Sequence, residues 1–146
     1  MGNVFNLFKD KLLWMHPSYN LCVDETLYSF RGTVCITNFL NYFNFISKGK
    51  CSFRQYIPSK PARYGLKYWC LVDTDISYLC DVEIYLGKAE ESSQRETSIG
   101  MKVVLKLCEL YYFTKRCFTA DNFFTSIALC QKLWEKNLEY LGILFI

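Results

Sequence analysis

Residues 116–137 read RCFTADNFFTSIALCQKLWEKN and contain the change of pattern that decides the fold. The apolar residues at the start of this stretch predict a short strand over Arg116–Asp121, and the apolar spacing after it predicts a helix over Thr125–Asn137. Trp134 is predicted to lie in the core on the apolar face of that helix. A last apolar strand is predicted over Tyr140–Ile146. A strand, a helix and a strand in succession indicate a partly parallel sheet, because parallel neighbouring strands need a long crossover between them.

The residues before this stretch predict a helix, a meander of three strands and a second helix. The three strands alternate or run apolar between turn residues, and Pro17 ends the first helix. The predicted elements are a helix over Asn3–Trp14, strands over residues 19–30, Gly65–Val72 and Tyr78–Leu86, and a helix from a cap at Ser98 to Leu110. The fold class is therefore α/β, with a mixed sheet made of a three-strand meander followed by helix, strand, helix and strand.

Composition excludes several classes of protein. The 146 residues are 51% hydrophobic, which excludes a disordered chain and suffices for the core of one domain. No apolar run reaches the roughly 20 residues that span a membrane, and the N-terminus lacks the pattern of a secretory signal. The 8 cysteines form no C-x-x-C pair and the chain has one histidine, His16. We therefore expect an intracellular protein whose cysteines are small buried hydrophobic residues.

Charge is distributed unevenly along the chain. No Asp or Glu occurs between Glu25 and Asp73, and aromatic residues are interleaved with the later basic residues of this gap. Positive charge beside aromatic rings is typical of nucleic-acid binding, because cations neutralise phosphates and rings stack on bases. The alternative is a solvated face with ordinary core aromatics. The basic residues of the gap are Arg31, Lys48, Lys50, Arg54, Lys60, Arg63 and Lys67.

Two aspartates lie within or directly after apolar strands. Asp24 follows Leu21-Cys22-Val23, and Asp121 follows the strand that begins at Arg116. An ionised carboxylate there is costly unless it is compensated, and a divalent cation such as Mg²⁺ is one compensation. The alternative is that Asp24 is a strand-edge residue and that Asp121-Asn122 caps the helix near Thr125.

Several near-continuous strings closely resemble the piggyBac transposases, in the family's order and over roughly Pro17 to Gly142. They are Val23-Asp24-Glu25, Phe30-Arg31-Gly32, Cys51-Ser52-Phe53-Arg54-Gln55-Tyr56-Ile57-Pro58-Ser59-Lys60-Pro61, Tyr64-Gly65-Leu66-Lys67-Tyr68-Trp69, Ile84-Tyr85-Leu86-Gly87 and Asp121-Asn122-Phe123-Phe124-Thr125-Ser126.

The resemblance implies a ribonuclease-H-like core with Asp24 and Asp121 as catalytic and metal-binding residues for Mg²⁺. It also implies strand cleavage and transfer of DNA with TTAA-type ends, self-association and a nuclear location. The DNA-facing residues would be Arg54, Lys60, Arg63 and Lys67. The implied organisation is an N-terminal helix over 1–16 and a partial DDE-type catalytic domain over 17–146, incomplete at its C-terminal side.

The sequence departs from the family pattern at three places. Residues 33–49 form an insertion, read either as a divergent loop or as a translated intron. Gly142-Ile143-Leu144-Phe145 replaces a Gly-Thr-Val-Arg string, and the third acidic residue of the family is absent. We therefore expect a transposase-derived fragment that is inactive alone. The alternative is a host-recruited, non-catalytic DNA-binding protein.

Overall fold

The computed structural model describes residues 4–30, 53–87 and 96–143, and the predicted insertion at about 33–49 lies outside these ranges. The described elements are α1 (Val4–Leu12), β1 (Asn20–Ser29), β2 (Gln55–Tyr56), β3 (Tyr64–Asp73), β4 (Tyr78–Ile84), α2 (Glu96–Leu107), β5 (Cys117–Ala120), α3 (Ile127–Glu135) and β6 (Glu139–Gly142). None of the helices in these ranges is both long and apolar enough to cross a membrane.

The strands form one mixed sheet, in the order β2-β3-β1-β5-β6. β4 pairs with β3 along the same edge as β2, because β1 occupies the other edge of β3. The pairs of β1, β3 and β4 are antiparallel, whereas β5 runs parallel to β1 and β6 runs parallel to β5. The predicted α/β class with a three-strand meander and a parallel second half is confirmed.

One side of the sheet is buried against helices. Leu21 and Val23 of β1, together with Leu71 of β3 and Phe118 of β5, have at most 1% of their surface exposed and belong to one hydrophobic cluster. Leu107 of α2 and residues of α3 join that cluster. The alternating residues of β1 point to the other side, where Asp24 and Thr26 are exposed.

Helix α1 is attached to β4 through polar contacts. The Lys9 ammonium lies 3.0 Å from Asp81 Oδ1 and 2.6 Å from Glu83 Oε1, and the Tyr78 hydroxyl donates to the carbonyl of Leu12 at 3.1 Å. Burial lowers the pKa of Lys9, but its bonds to Glu83 and Asp81 outweigh that effect and raise it above its ordinary value. The helix is therefore fixed to the sheet by ion pairs as well as by Leu12.

Three details differ from the sequence predictions. Helix α2 begins at Glu96, before the predicted cap at Ser98, and ends at Leu107, after which residues 109–111 form a 3₁₀ turn. Strand β2 was not predicted, because two residues show no period. Trp134 was predicted to lie within the apolar face of its helix, but it is 79% exposed while Leu129 and Leu133 of the same helix are buried.

The six described cysteines are free and buried or half-buried, as predicted. Burial raises the pKa of the Cys108 thiol well above its ordinary value. These thiols therefore behave as small apolar groups of the interior.

Candidate metal centre and nucleic-acid interface

Parallel pairing of β1 with β5 brings the two predicted aspartates together. The register ends with Cys22 opposite Thr119 and Val23 opposite Ala120, and the next residue of each segment is an aspartate. Because the two strands run in the same direction, Asp24 and Asp121 leave them at the same level of the sheet. Both line one open depression of about 420 Å³, whose other lining residues are Cys22, Val23, Thr119, Ala120, Leu141, Gly142 and Ile143.

Backbone amides orient both carboxylates. Asp24 Oδ1 accepts a hydrogen bond from the amide of Glu25 at 2.7 Å, and Asp121 Oδ1 accepts one from the amide of Phe123 at 3.0 Å. Both side chains are exposed, and among the described residues neither forms an ion pair. The sequence argument that burial makes these carboxylates costly without a cation is therefore wrong, because solvent reaches both, and the case for a cation depends on their juxtaposition.

Asp121 does not cap α3, contrary to one of the two sequence interpretations. The helix is capped by Ser126, whose hydroxyl oxygen accepts a hydrogen bond from the amide of Leu129 at 3.2 Å. The carbonyl of Asp121 accepts bonds from the amides of Phe124 and Thr125, which closes a turn between β5 and the cap. Asp121 is thus free of a capping role and available for another one.

The donor set of the depression suits a hard divalent cation. Its two carboxylates lie beside the Thr119 hydroxyl and the Cys22 thiol. Mg²⁺ is commonly bound through one or two carboxylates completed by water and substrate phosphate oxygens. No group of three or more His, Cys, Asp or Glu suited to a metal occurs within residues 4–30, 53–87 and 96–143. Asp24 and Asp121 therefore fit such an ion, with ligands left for solvent or substrate to supply.

Glu25 points away from Asp24 and binds two of the predicted DNA-facing lysines. Its Oε2 lies 2.5 Å from Lys67 Nζ and its Oε1 lies 3.7 Å from Lys60 Nζ. The side chain of Lys67 is 15% exposed, so most of its charge is shielded from solvent. These two lysines are thus paired with a carboxylate, and a role of any of the four basic residues in DNA binding stays a prediction.

Arg54 and Arg63 belong to a surface formed by β2, β3 and the turn between them. The Arg54 guanidinium lies 5.0 Å from the centre of the Tyr64 ring, and the rings of Tyr56 and Tyr64 are 4.7 Å apart. Both tyrosines are about half exposed, and Arg63 is exposed. We call Arg54, Tyr56, Arg63 and Tyr64 the arginine–tyrosine hairpin. Gly65, the residue after Tyr64, pairs with Ser29, which lies about 17 Å along β1 from Asp24.

Two contacts of Lys67 were not predicted from the sequence: its ion pair with Glu25 and its contact with the ring of Phe123. The Lys67 ammonium lies 5.1 Å from the centre of the Phe123 ring. The register places Glu25 opposite Trp69, and alternation then puts Lys67, two residues from Trp69, on the same side; the sequence alone does not provide that register. No local pattern signals Phe123, which follows a different strand.

Comparison with known proteins gives concordant results. The family model described as Transposase IS4 matches residues 25–145, a range that begins one residue after Asp24. The human PiggyBac transposable element-derived protein 3 is 36% identical over 97 residues, which cover 64% of this chain and 16% of that protein. The human Chimeric ERCC6-PGBD3 protein is also 36% identical over 97 residues, covering 9% of its length.

A solved structure of the piggyBac transposase synaptic complex with hairpin DNA superimposes with a TM-score of 0.77 and 29% identity. The match covers 97% of this chain and 26% of the solved chain, so the chain spans a small part of the length of each of these relatives. The open mixed sheet is accordingly that of a ribonuclease-H-like catalytic domain. The extent of the family match, the fold and the identity to piggyBac-derived proteins together show that this chain belongs to the IS4/piggyBac family of DDE-type transposases.

Proposed function

We propose that this chain is a transposase-derived DNA-binding segment that holds a divalent cation, Mg²⁺, between Asp24 and Asp121. The observation that carries the proposal is the parallel register of β1 and β5, which ends one residue before both aspartates. Residues far apart in the chain thereby present two carboxylates to one open depression. Neighbouring strands lie about 4.8 Å apart, so two carboxylates at one level of the sheet are within reach of one divalent cation.

DNA is the proposed partner. The solved piggyBac neighbour is a complex with hairpin DNA. The arginine–tyrosine hairpin presents the exposed Arg63, the partly exposed Arg54 and two half-exposed tyrosine rings. Guanidinium groups pair with phosphate oxygens, and exposed rings stack on unpaired bases. Arg54 and Arg63 are the main proposed contacts, with Lys60 and Lys67 contributing less because both are near Glu25.

The residues of the depression determine how phosphoryl transfer would be supported. Asp24 and Asp121 supply negative oxygen ligands, and the amides of Glu25 and Phe123 hold those oxygens in orientation. A divalent ion, when bound, polarises a phosphodiester and favours ionisation of a nucleophilic water or hydroxyl. The depression is open, so a phosphodiester can reach it from solvent.

We propose that these two carboxylates bind the ion without supporting efficient strand transfer. A second ion needs further ligands, and the described residues provide no third acidic ligand. The remaining family properties are part of the same proposal: TTAA-type ends, self-association, a nuclear location, and the division into a helix over 1–16 and a partial catalytic domain over 17–146 with an insertion at about 33–49.

Two titrations test the proposal. Mn²⁺ binding to the full chain, followed by electron paramagnetic resonance, should weaken by about tenfold or more in Asp24→Asn or Asp121→Asn. Asp75→Asn is the matched control, because Asp75 is exposed and lies away from the depression. Equal Mn²⁺ affinity in all four proteins would overturn the metal site.

DNA binding is measured separately by fluorescence anisotropy at several salt concentrations. The double variant Arg54→Gln, Arg63→Gln should weaken binding and reduce the salt slope by about 1 to 2, since each phosphate contact releases counterions. Salt-dependent DNA binding without a carboxylate-dependent metal site would favour the alternative, a host-recruited non-catalytic DNA-binding protein. DNA affinity that does not change with salt concentration would exclude phosphate contacts, and with them DNA binding in both of these functions.

A further inference from the structure

Lys67 occupies a cage of four side chains on the side of β1 opposite Asp24. Its ammonium lies 2.5 Å from Glu25 Oε2 and within 5.1–5.7 Å of three ring centres. An ammonium at such distances is attracted to the ring faces, more strongly when it is shielded from water. The rings belong to Trp69, Tyr85 and Phe123.

The cage contacts connect Lys67 to both segments that carry the aspartates. On one side, Glu25 is the chain neighbour of Asp24, and its own amide donates to the Asp24 carboxylate. On the other side, the Phe123 amide donates to the Asp121 carboxylate while its ring lies against the ammonium. Lys67 therefore contacts the side chains of the two residues whose backbone amides donate to the Asp24 and Asp121 carboxylates.

We infer that Lys67 is a positioning residue, which fixes the Asp121 turn relative to Asp24 through Glu25 and Phe123. The inference rests on the proposed function where it concerns a metal ion. Its structural part, the attachment of the turn to β1 and β3, stands on the contacts alone. The negative oxygens of the depression are thus held by a cation on the other side of the sheet.

Helix α2 supports the same turn from a second direction. A Cβ atom placed on Gly100 would lie 2.9 Å from the carbonyl oxygen of Phe123 and 3.2 Å from the Cα of Phe124. The helix backbone thus approaches the turn as closely as a glycine allows. The turn is also held by the amides of Phe124 and Thr125, which donate to the carbonyl of Asp121, and the Phe123 ring adds a contact that reaches Lys67.

Lys60 provides a matched control within the same ion pair. It lies 3.7 Å from the other oxygen of Glu25, but within the described ranges it is in no cation–ring contact. If the charge on Glu25 alone mattered, removing either lysine would have the same effect. If Lys67 positions the turn, only its removal affects Phe123.

The experiment compares Lys67→Met, Lys67→Arg and Lys60→Met in the full chain by hydrogen exchange of the 121–125 amides without metal. Exchange in Lys67→Met should be about tenfold faster, Lys67→Arg should restore protection because a guanidinium also pairs with a carboxylate and rings, and Lys60→Met should match the wild type. Mn²⁺ affinity should fall by about tenfold in Lys67→Met alone.

Phe123→Leu provides a second test if Lys67→Met fails to fold, because Phe123 is 38% exposed and its removal leaves no charge unpaired. Phe123→Leu should speed exchange, while Phe123→Tyr, which keeps the ring, should not. Unchanged exchange in Phe123→Leu, or equal acceleration in Lys60→Met and Lys67→Met, overturns the inference. If the wild type does not bind Mn²⁺ but hydrogen exchange of the 121–125 amides responds to the Lys67 and Phe123 variants as expected, the metal site is overturned and the positioning role is supported.

Discussion

Asp73 at the end of β3 gives the sharpest prediction of stability. Its side chain has 0% of its surface exposed, and it accepts hydrogen bonds from the amides of Ser18 at 2.5 Å, Asp75 at 2.9 Å and Ile76 at 3.3 Å. Burial raises the pKa of Asp73, but these bonds outweigh that effect and hold its pKa below its ordinary value. One carboxylate thereby joins the segment before β1 to the turn after β3.

Asp73→Asn should lower the free energy of unfolding by about 2 kcal/mol at neutral pH. An amide oxygen can still accept the bonds from Asp75 and Ile76, but the amide nitrogen then faces the N–H of Ser18, and an unmet buried donor costs about 1–3 kcal/mol. Because the carboxylate is covered only by a turn at the margin of the sheet, we take the middle of that range.

The pH dependence has a defined sign. The folded-state pKa of Asp73 is lowered, so its stabilisation is complete above the unfolded pKa of about 3.9 and is lost as the pH falls through the folded value. The gap between wild type and Asp73→Asn should therefore be constant from pH 7 to about 5 and narrow below about 4.

Urea unfolding followed by circular dichroism at several pH values measures both effects. Asp75→Asn is the matched control: Asp75 is exposed and accepts only a 3.3 Å bond from Asn20 among its side-chain partners in the described part, so its change should stay within about 0.5 kcal/mol. Equal stability of wild type and Asp73→Asn, or a gap that does not change with pH, would refute the reasoning.

Three further substitutions have defined outcomes. Gly65→Ala should lower the unfolding free energy by about 2–3 kcal/mol in urea, because a Cβ there would lie 2.2 Å from the carbonyl oxygen of Tyr28, a backbone atom of the paired strand; an unchanged midpoint would contradict that contact. Ser126→Ala should cost about 1 kcal/mol by removing the cap of α3, with Ser126→Asp retaining most of it; a loss in both variants would contradict the capping role. Trp134→Gln should change stability by less than about 0.5 kcal/mol, since the ring is 79% exposed. It should also reduce the iodide-quenched part of the fluorescence without removing it, because Trp14 is 77% exposed; a large loss of stability would show that the ring is packed.

The sequence allowed the class of the fold to be predicted, because the relevant signals are local. Strand alternation in residues 19–30 separated Leu21 and Val23 from Asp24, and the structure places those residues on opposite sides of β1. Strand–helix–strand order predicted the parallel half. By contrast, β2 depends on pairing with residues 64–65 and has no pattern of its own.

The candidate site was only partly predictable. Asp24 and Asp121 were identified through the resemblance, whereas the burial argument for them is wrong because both are exposed. Their juxtaposition depends on a register between distant strands. The partners of Lys67 could not be predicted from charge spacing, since Glu25 lies at the very end of the acid-free stretch and Phe123 follows another strand. Trp134 shows the same limit, because helical spacing identifies a face and not whether anything covers it.

Because β1 and β5 form a parallel ladder, the placement of Asp24 beside Asp121 depends on the number of residues in β1 more than on their types. A single-residue deletion between Asn20 and Val23 would shift every following side chain of β1 to the reverse side of the sheet, because strand side chains alternate with a period of two. Glu25 would then project where Asp24 now does, and Asp24 would face the helices. A substitution in this strand changes one side chain of the depression, whereas the loss of one codon exchanges the two sides of the strand for every residue that follows.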